Sequence, residues 1–161
     1  MGRIDRRLDD LGITLPDPLR LPPGMVLPFP WVRVFGDRAF VSGHGPVEQD
    51  GALARPLGKV GAEVSVEEAI VLSRKTGLAI LRSLREELGD LDRITGWARV
   101  FGMVNVAPGF TETPRVINGF TDLILDVFGP EVGSHARSAV GMAELPMRIA
   151  VEIEAEVLIR P

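Results

Sequence analysis

Ile149-Ala-Val-Glu-Ile-Glu-Ala-Glu-Val157 is the stretch that decides the fold. Ile149, Val151, Ile153, Ala155 and Val157 alternate with Glu152, Glu154 and Glu156. A period of two puts successive side chains on opposite faces, so this run is a strand with one face on a core. Upstream lies His135-Ala-Arg-Ser-Ala-Val-Gly-Met-Ala143, a small, apolar run with one strong cation, Arg137. Leu145-Pro146 reads as a short turn between the two, which makes them a hairpin. Hairpin partners lie within side-chain reach, so Arg137 and a glutamate are expected to share a site. A guanidinium suits a planar carboxylate because it can donate two parallel hydrogen bonds.

Working outward, Ser65-Val-Glu-Glu68 is a capping box, and Val66, Ala69, Ile70, Ser73, Gly77, Ile80, Leu81, Leu84 and Leu88 follow at helical spacing. Gly89 supplies a left-handed stop, which predicts a helix over 66–88. Gly77 in mid-helix costs about 1 kcal/mol against alanine, so close packing on a sheet is expected there. Leu91 to Val106 reads as a long strand, with a bulge near Gly96 or Gly102. Thr113-Pro114 is a helix start, and a second apolar stripe runs from Val116 to Phe128 before Gly129-Pro130 ends it. Near the start, Phe29 to Phe35 and Ala39 to Ser42 are strands joined by Gly36-Asp37.

The element order is therefore β-β-α-β-α-β-β, an α+β fold with two helices covering one face of a mixed sheet. The other face carries the three glutamates and is either solvated or turned toward subunit partners. Ile4, Leu8 and Leu11 predict a turn or two of helix at the N-terminus. Leu15-Pro-Asp-Pro-Leu-Arg-Leu-Pro-Pro-Gly24 is too proline-rich for a helix or a central strand. Residues 1–24 thus read as an extension and an arm laid over the body, and residues 25–161 as the domain itself.

Composition narrows the function classes. The 161 residues, 45% apolar and 25% charged, are those of one ordinary globular domain. No cysteine is present, so disulfides, thiolate metal sites and cysteine nucleophiles are excluded, and a cytoplasmic location is expected. No apolar run approaches the roughly 20 residues that span a bilayer, and no membrane partner is expected. The net charge of −4, without a dense Lys/Arg block, argues against nucleic acid as a partner. Two histidines, His44 and His135, without a third ligand do not make a zinc site, so no metal is expected.

Several segments resemble the Rid (reactive intermediate deaminase) family, also labelled YjgF-like or endoribonuclease L-PSP. They are Gly36 through Ser42-Gly43-His44-Gly45-Pro46, the Ser65 helix with Gly89-Asp-Leu-Asp92, and Val116-Ile-Asn118-Gly119 to Phe128-Gly129. Most specific is Ala136-Arg137-Ser138-Ala139-Val140, followed by Leu145-Pro146 and Val151-Glu152-Ile153-Glu154-Ala155. The resemblance implies a chorismate-mutase-like subunit in a homotrimeric barrel, with a pocket at each subunit interface. It implies that Arg137 binds a substrate carboxylate, that Glu152 is the catalytic group beside it, and that neither metal nor organic cofactor takes part. The implied reaction is hydrolysis of a reactive 2-imino or enamine acid to a 2-keto acid and ammonia. Asn118 matches the family's helix asparagine, and Phe29, Ser42 and Gly43 complete the expected substrate-binding set. Two positions depart from the characterised deaminases: Ala139 stands for a cysteine and Phe29 for a tyrosine.

Each residue also has a plainer reading. Arg137 balances Glu152 or Glu154 in a structural ion pair, Glu152 is a solvated strand residue, and Asn118 a surface residue. For the whole protein, the alternative to an enzyme is a trimeric binder or sensor of a small carboxylate metabolite. A ribonuclease, the third reading, lacks a basic or aromatic surface to support it.

Overall fold

The computed structural model describes residues 2–160. Helix α1, Arg3–Asp10, opens the chain and buries Ile4 and Leu8. Its first amides have no local cap; Arg3 and Ile4 donate instead to the Asp92 carboxylate from across the fold. The proline-rich arm is extended, and the amides of Asp17 and Arg20 donate to the carbonyls of Gln49 and Gly51, each at 2.9 Å.

Strands β1 (Val32–Phe35) and β2 (Arg38–His44) form the first hairpin. Helix α2 runs from Val66 to Leu88, as the capping box and Gly89 dictate. The Ser65 hydroxyl accepts from the Glu68 amide at 3.2 Å, and the Glu68 carboxylate accepts from the Ser65 amide at 2.9 Å. A short 3-10 turn, Leu91–Arg93, leads into β3, Ile94–Asn105, whose register slips around Gly96 where a bulge was expected. Helix α3, Thr113–Gly133, is broken at Gly129, where φ is 75°. Strands β4 (Ala136–Met142) and β5 (Val151–Ile159) follow.

The sheet order is β1-β2-β5-β3-β4, with only β3 and β4 parallel. The expected β4–β5 hairpin does not exist, because β3 lies between the two strands. Helix α3 carries the chain from the end of β3 back to the start of β4, and such a crossover makes the two strands parallel neighbours. Residues 143–150 then pass around the end of β3 so that β5 enters on its other side. Asn105 fixes that passage: its amide donates to the Ala150 carbonyl at 2.9 Å and its Nδ2 to the Ile149 carbonyl at 3.2 Å.

Helices α2 and α3 pack on each other and on one face of the sheet. The apolar phase of β5 lies beneath them, with Val151, Ile153 and Val157 inaccessible to solvent. Gly77 does make a close approach, but to α3 rather than to the sheet. A Cβ there would lie 2.7 Å from Leu123, and one at Gly119 would lie 2.2 Å from the Ile70 carbonyl oxygen. On the opposite face, which carries Glu152, Glu154 and Glu156, no helix of the described residues packs; Leu53, Leu57, Leu145 and Ile149 from the loops cover only its Met103 end.

Candidate functional site

Arg137 lies on β4 opposite Val100 of β3, on the helix-covered side. Its guanidinium reaches α3 and donates to three neutral oxygens. Nη1 bonds the Thr121 hydroxyl at 2.9 Å, and Nη2 bonds the Pro114 carbonyl at 3.0 Å and the Asn118 amide oxygen at 2.8 Å. Three of its five N–H donors are thus held by the protein and two remain. Positions 114, 118 and 121 are four and three apart, the spacing of one helix face. Among the described residues no carboxylate comes within ion-pair distance of Arg137. The structural ion pair with Glu152 or Glu154 is therefore absent from the subunit.

Glu152 lies on β5 opposite Met103, one residue out of phase with the buried Val151 and Ile153. Its side chain occupies the open face of the sheet. There it fills the space that Gly43 leaves on β2: a Cβ on Gly43 would come within 2.1 Å of the Glu152 carboxylate. The β2–β5 register shifts between Val41 and His44, so Ser42 and Gly43 sit in an irregularity of the ladder. The Ser42 hydroxyl donates to the Pro30 carbonyl at 2.9 Å, which ties the Phe29 segment to this strand. Phe29 precedes β1 rather than lying in it, is exposed, and packs edge-on against Trp31 at 5.9 Å.

The six expected site residues thus form two groups within one subunit. Arg137 and Asn118 meet on the helix side at one edge of the sheet. Glu152, Gly43 and Ser42 gather around the β2–β5 irregularity, and Phe29 is tethered near it through the neighbouring Pro30 carbonyl and packs on Trp31. A groove of about 670 Å³ runs along the open face past Ser42, Phe101, Glu154 and Glu156.

A family model described as "YjgF/chorismate_mutase-like, putative endoribonuclease" matches residues 8–153. The chain belongs to the YjgF/endoribonuclease L-PSP family. It is similar to protein TCP17 of Trypanosoma cruzi, 40% identical over 96% of this chain and 92% of that protein. It is also similar to the solved structure of Atu1372 from Agrobacterium tumefaciens, 38% identical with a TM-score of 0.84, covering 97% of this chain and 91% of that one. With so little of this chain unmatched, most of residues 1–24 fall within that shared fold. The E. coli YjgF gene product shares the fold at 19% identity and a TM-score of 0.59, over 86% of this chain and 93% of its own. The chain thus stands well apart from YjgF within the family.

The electrostatics differ between the two groups. Burial pushes the Glu152 carboxyl above the usual carboxylate range, and neighbouring Glu154 adds to the shift. Burial likewise lowers the Arg137 guanidinium from its ordinary value, partly countered by Asp122. Among the described residues no three His, Asp or Glu side chains converge as a metal site, and no helix is long and apolar enough to cross a membrane. The sequence did not assign two residues beside Arg137 to the site: Thr121, which was passed over, and His135, which was weighed only as a metal ligand. The Thr121 hydroxyl lies 3.1 Å from His135 Nε2, and His135 Nδ1 lies 2.7 Å from the Gly133 carbonyl. The spacing of Thr121 from Asn118, one turn of α3, was the available signal for the first.

Proposed function

We propose that this protein hydrolyses reactive 2-imino or enamine acids to 2-keto acids and ammonia, in pockets formed between the subunits of a homotrimer. The observation that carries this is the state of Arg137. Its guanidinium is oriented by neutral acceptors and has no carboxylate partner among the described residues of its own subunit. A partly buried cation held this way is suited to an anionic ligand. Arg137 and Glu152 point to opposite sides of the sheet, so a pocket containing both takes one from each of two subunits. The open glutamate-bearing face supports the same reading, since a sheet face bare of helices is available for packing into a barrel.

In this reading Arg137 and Asn118 bind the substrate carboxylate, while Phe29, Ser42 and Gly43 shape the other wall. Glu152, poised by burial closer to neutral pH, moves the protons. Water bonds through oxygen to C2 of the imine, and Glu152 carries its proton to the nitrogen. The C2–N bond of the resulting carbinolamine then breaks, the hydroxyl proton passes to nitrogen, and ammonia leaves with the 2-keto acid. Water supplies the oxygen and two hydrogens, and Glu152 ends as it began. Such substrates are already reactive, so orientation and a held water suffice.

The test is to generate 2-aminoacrylate or 2-iminobutanoate in situ and follow loss of the imine with micromolar protein. Faster loss than in buffer is expected. No acceleration, with binding of 2-oxobutanoate retained, would leave a metabolite-binding protein instead.

A further inference from the structure

Arg137 is held by more than its direct contacts. His135 Nδ1 faces the Gly133 carbonyl at 2.7 Å, and a carbonyl can only accept, so Nδ1 carries the proton. In the neutral ring Nε2 is then an acceptor. Thr121 Oγ1, 3.1 Å away, donates its one hydrogen to Nε2 and keeps its lone pairs for Arg137 Nη1 at 2.9 Å. Every donor has one acceptor along the chain Arg137 to Thr121 to His135 to Gly133, and the hydroxyl has no other arrangement that satisfies all four groups. The Phe120 ring lies 6.0 Å from the imidazole, edge to face, and limits its rotation.

We propose that Thr121 and His135 are positioning residues for Arg137: the neutral imidazole fixes the direction of the Thr121 hydroxyl, and that hydroxyl fixes the guanidinium. This rests on the reading of Arg137 as the carboxylate-binding group and adds to it the device that orients it. Protonating His135 would make Nε2 a donor, and two cations would then converge on one hydroxyl oxygen. The molecule opposes this: burial lowers the His135 pKa, and the Arg137 charge lowers it further, against the bond to Gly133. The charge acting on His135 thus comes from β4, which starts at the next residue, and Asp122 on α3 acts in turn on Arg137.

The test has two arms. The first needs no ligand. Ring NMR of the two histidines, with His135→Gln to assign them, should show His135 as the Nδ1–H tautomer. Its titration should move to higher pH in Arg137→Gln, where the cation is gone. A titration unchanged in Arg137→Gln, or the Nε2–H tautomer, would overturn the proposal. The second arm measures 2-oxobutanoate binding by calorimetry. Thr121→Val, which keeps shape and removes the hydroxyl, should raise Kd by about tenfold, on the scale of one hydrogen bond to a charged group. Thr121→Ser should stay near wild type. Wild-type affinity in Thr121→Val would also overturn the proposal. If the wild-type protein itself fails to bind, the carboxylate-binding reading falls, and the titration arm still decides whether Thr121 and His135 hold Arg137.

Discussion

Arg137 and Glu152 lie on opposite faces of one sheet, with β3 between their strands: Arg137 stands opposite Val100 and Glu152 opposite Met103. Adjacent residues on a strand alternate in direction, so Val100 and Met103, three apart, point to different sides. Neither side chain can neutralise the other within a subunit. The consequences of removing each are therefore separable.

Arg137→Ala should abolish measurable binding of 2-oxobutanoate, a loss of roughly 2–5 kcal/mol on the scale for desolvated charge pairs. Arg137→Lys should recover only part, since it keeps the charge and loses the planar fork. Calorimetry beside thermal melts checks both. A sharply lowered melting temperature in Arg137→Ala that Glu152→Gln restores would reinstate the ion pair.

Gly43→Ala should impair hydrolysis while leaving carboxylate binding nearly intact. The new methyl group would occupy the position of the Glu152 carboxylate, 2.1 Å from one of its oxygens, so that side chain must turn away. Steady-state kinetics should show a lower kcat with little change in the affinity for 2-oxobutanoate. An unchanged kcat would mean that Glu152 does not act where it lies.

His44 sets an acid limit to stability. It is buried, with Nδ1 2.6 Å from the Ser42 carbonyl and Nε2 2.8 Å from the Ser83 hydroxyl, and burial lowers its pKa to about 4. The folded state takes up this proton less readily than the unfolded chain does. Its stabilising effect is thus present above the ordinary histidine pKa and is lost as pH falls toward about 4. The full shift corresponds to about 3 kcal/mol. Melting temperatures between pH 7 and 4 should fall less in His44→Gln than in the wild type. Glu152 has the opposite sign: its raised pKa costs stability as pH rises above the ordinary carboxylate range, so Glu152→Gln should gain stability at neutral pH rather than at pH 4.

A chain beginning at Leu27 should melt lower than the full protein. It loses Ile4 and Leu8 from the core, a burial of roughly 3–6 kcal/mol, together with the arm's bonds to Gln49 and Gly51. We propose that the arm also narrows the pocket entrance, so ligand affinity should fall as well. An unchanged melting temperature and affinity would make the segment a mere tail.

Where local chemistry decides a boundary, the sequence was legible. The reciprocal Ser65–Glu68 bonds and Gly89 give α2 its ends, and the strict alternation of β5 gives its buried face. Alternation does not say which strand lies alongside, however, and proximity in sequence suggested β4 for β5. The parallel β3–β4 pair depends on where α3 delivers the chain, a long-range relation that local patterns do not encode. The same error placed Arg137 and a glutamate side by side. The roles of Thr121 and His135 beside Arg137 stayed hidden because a helix hydroxyl and a histidine acquire meaning only through what they touch.

The most direct test of a site shared between subunits is complementation. Light scattering should first give three times the 17.5 kDa chain mass; a monomer would dissolve the pocket. Arg137→Ala and Glu152→Gln, each assembled alone, should fail to hydrolyse 2-iminobutanoate. Assembled together from mixed unfolded chains, they should regain activity, because some pockets then combine the intact Arg137 of one variant with the intact Glu152 of the other. Mixed assemblies as inactive as the separate variants, beside an active wild type treated the same way, would contradict the account.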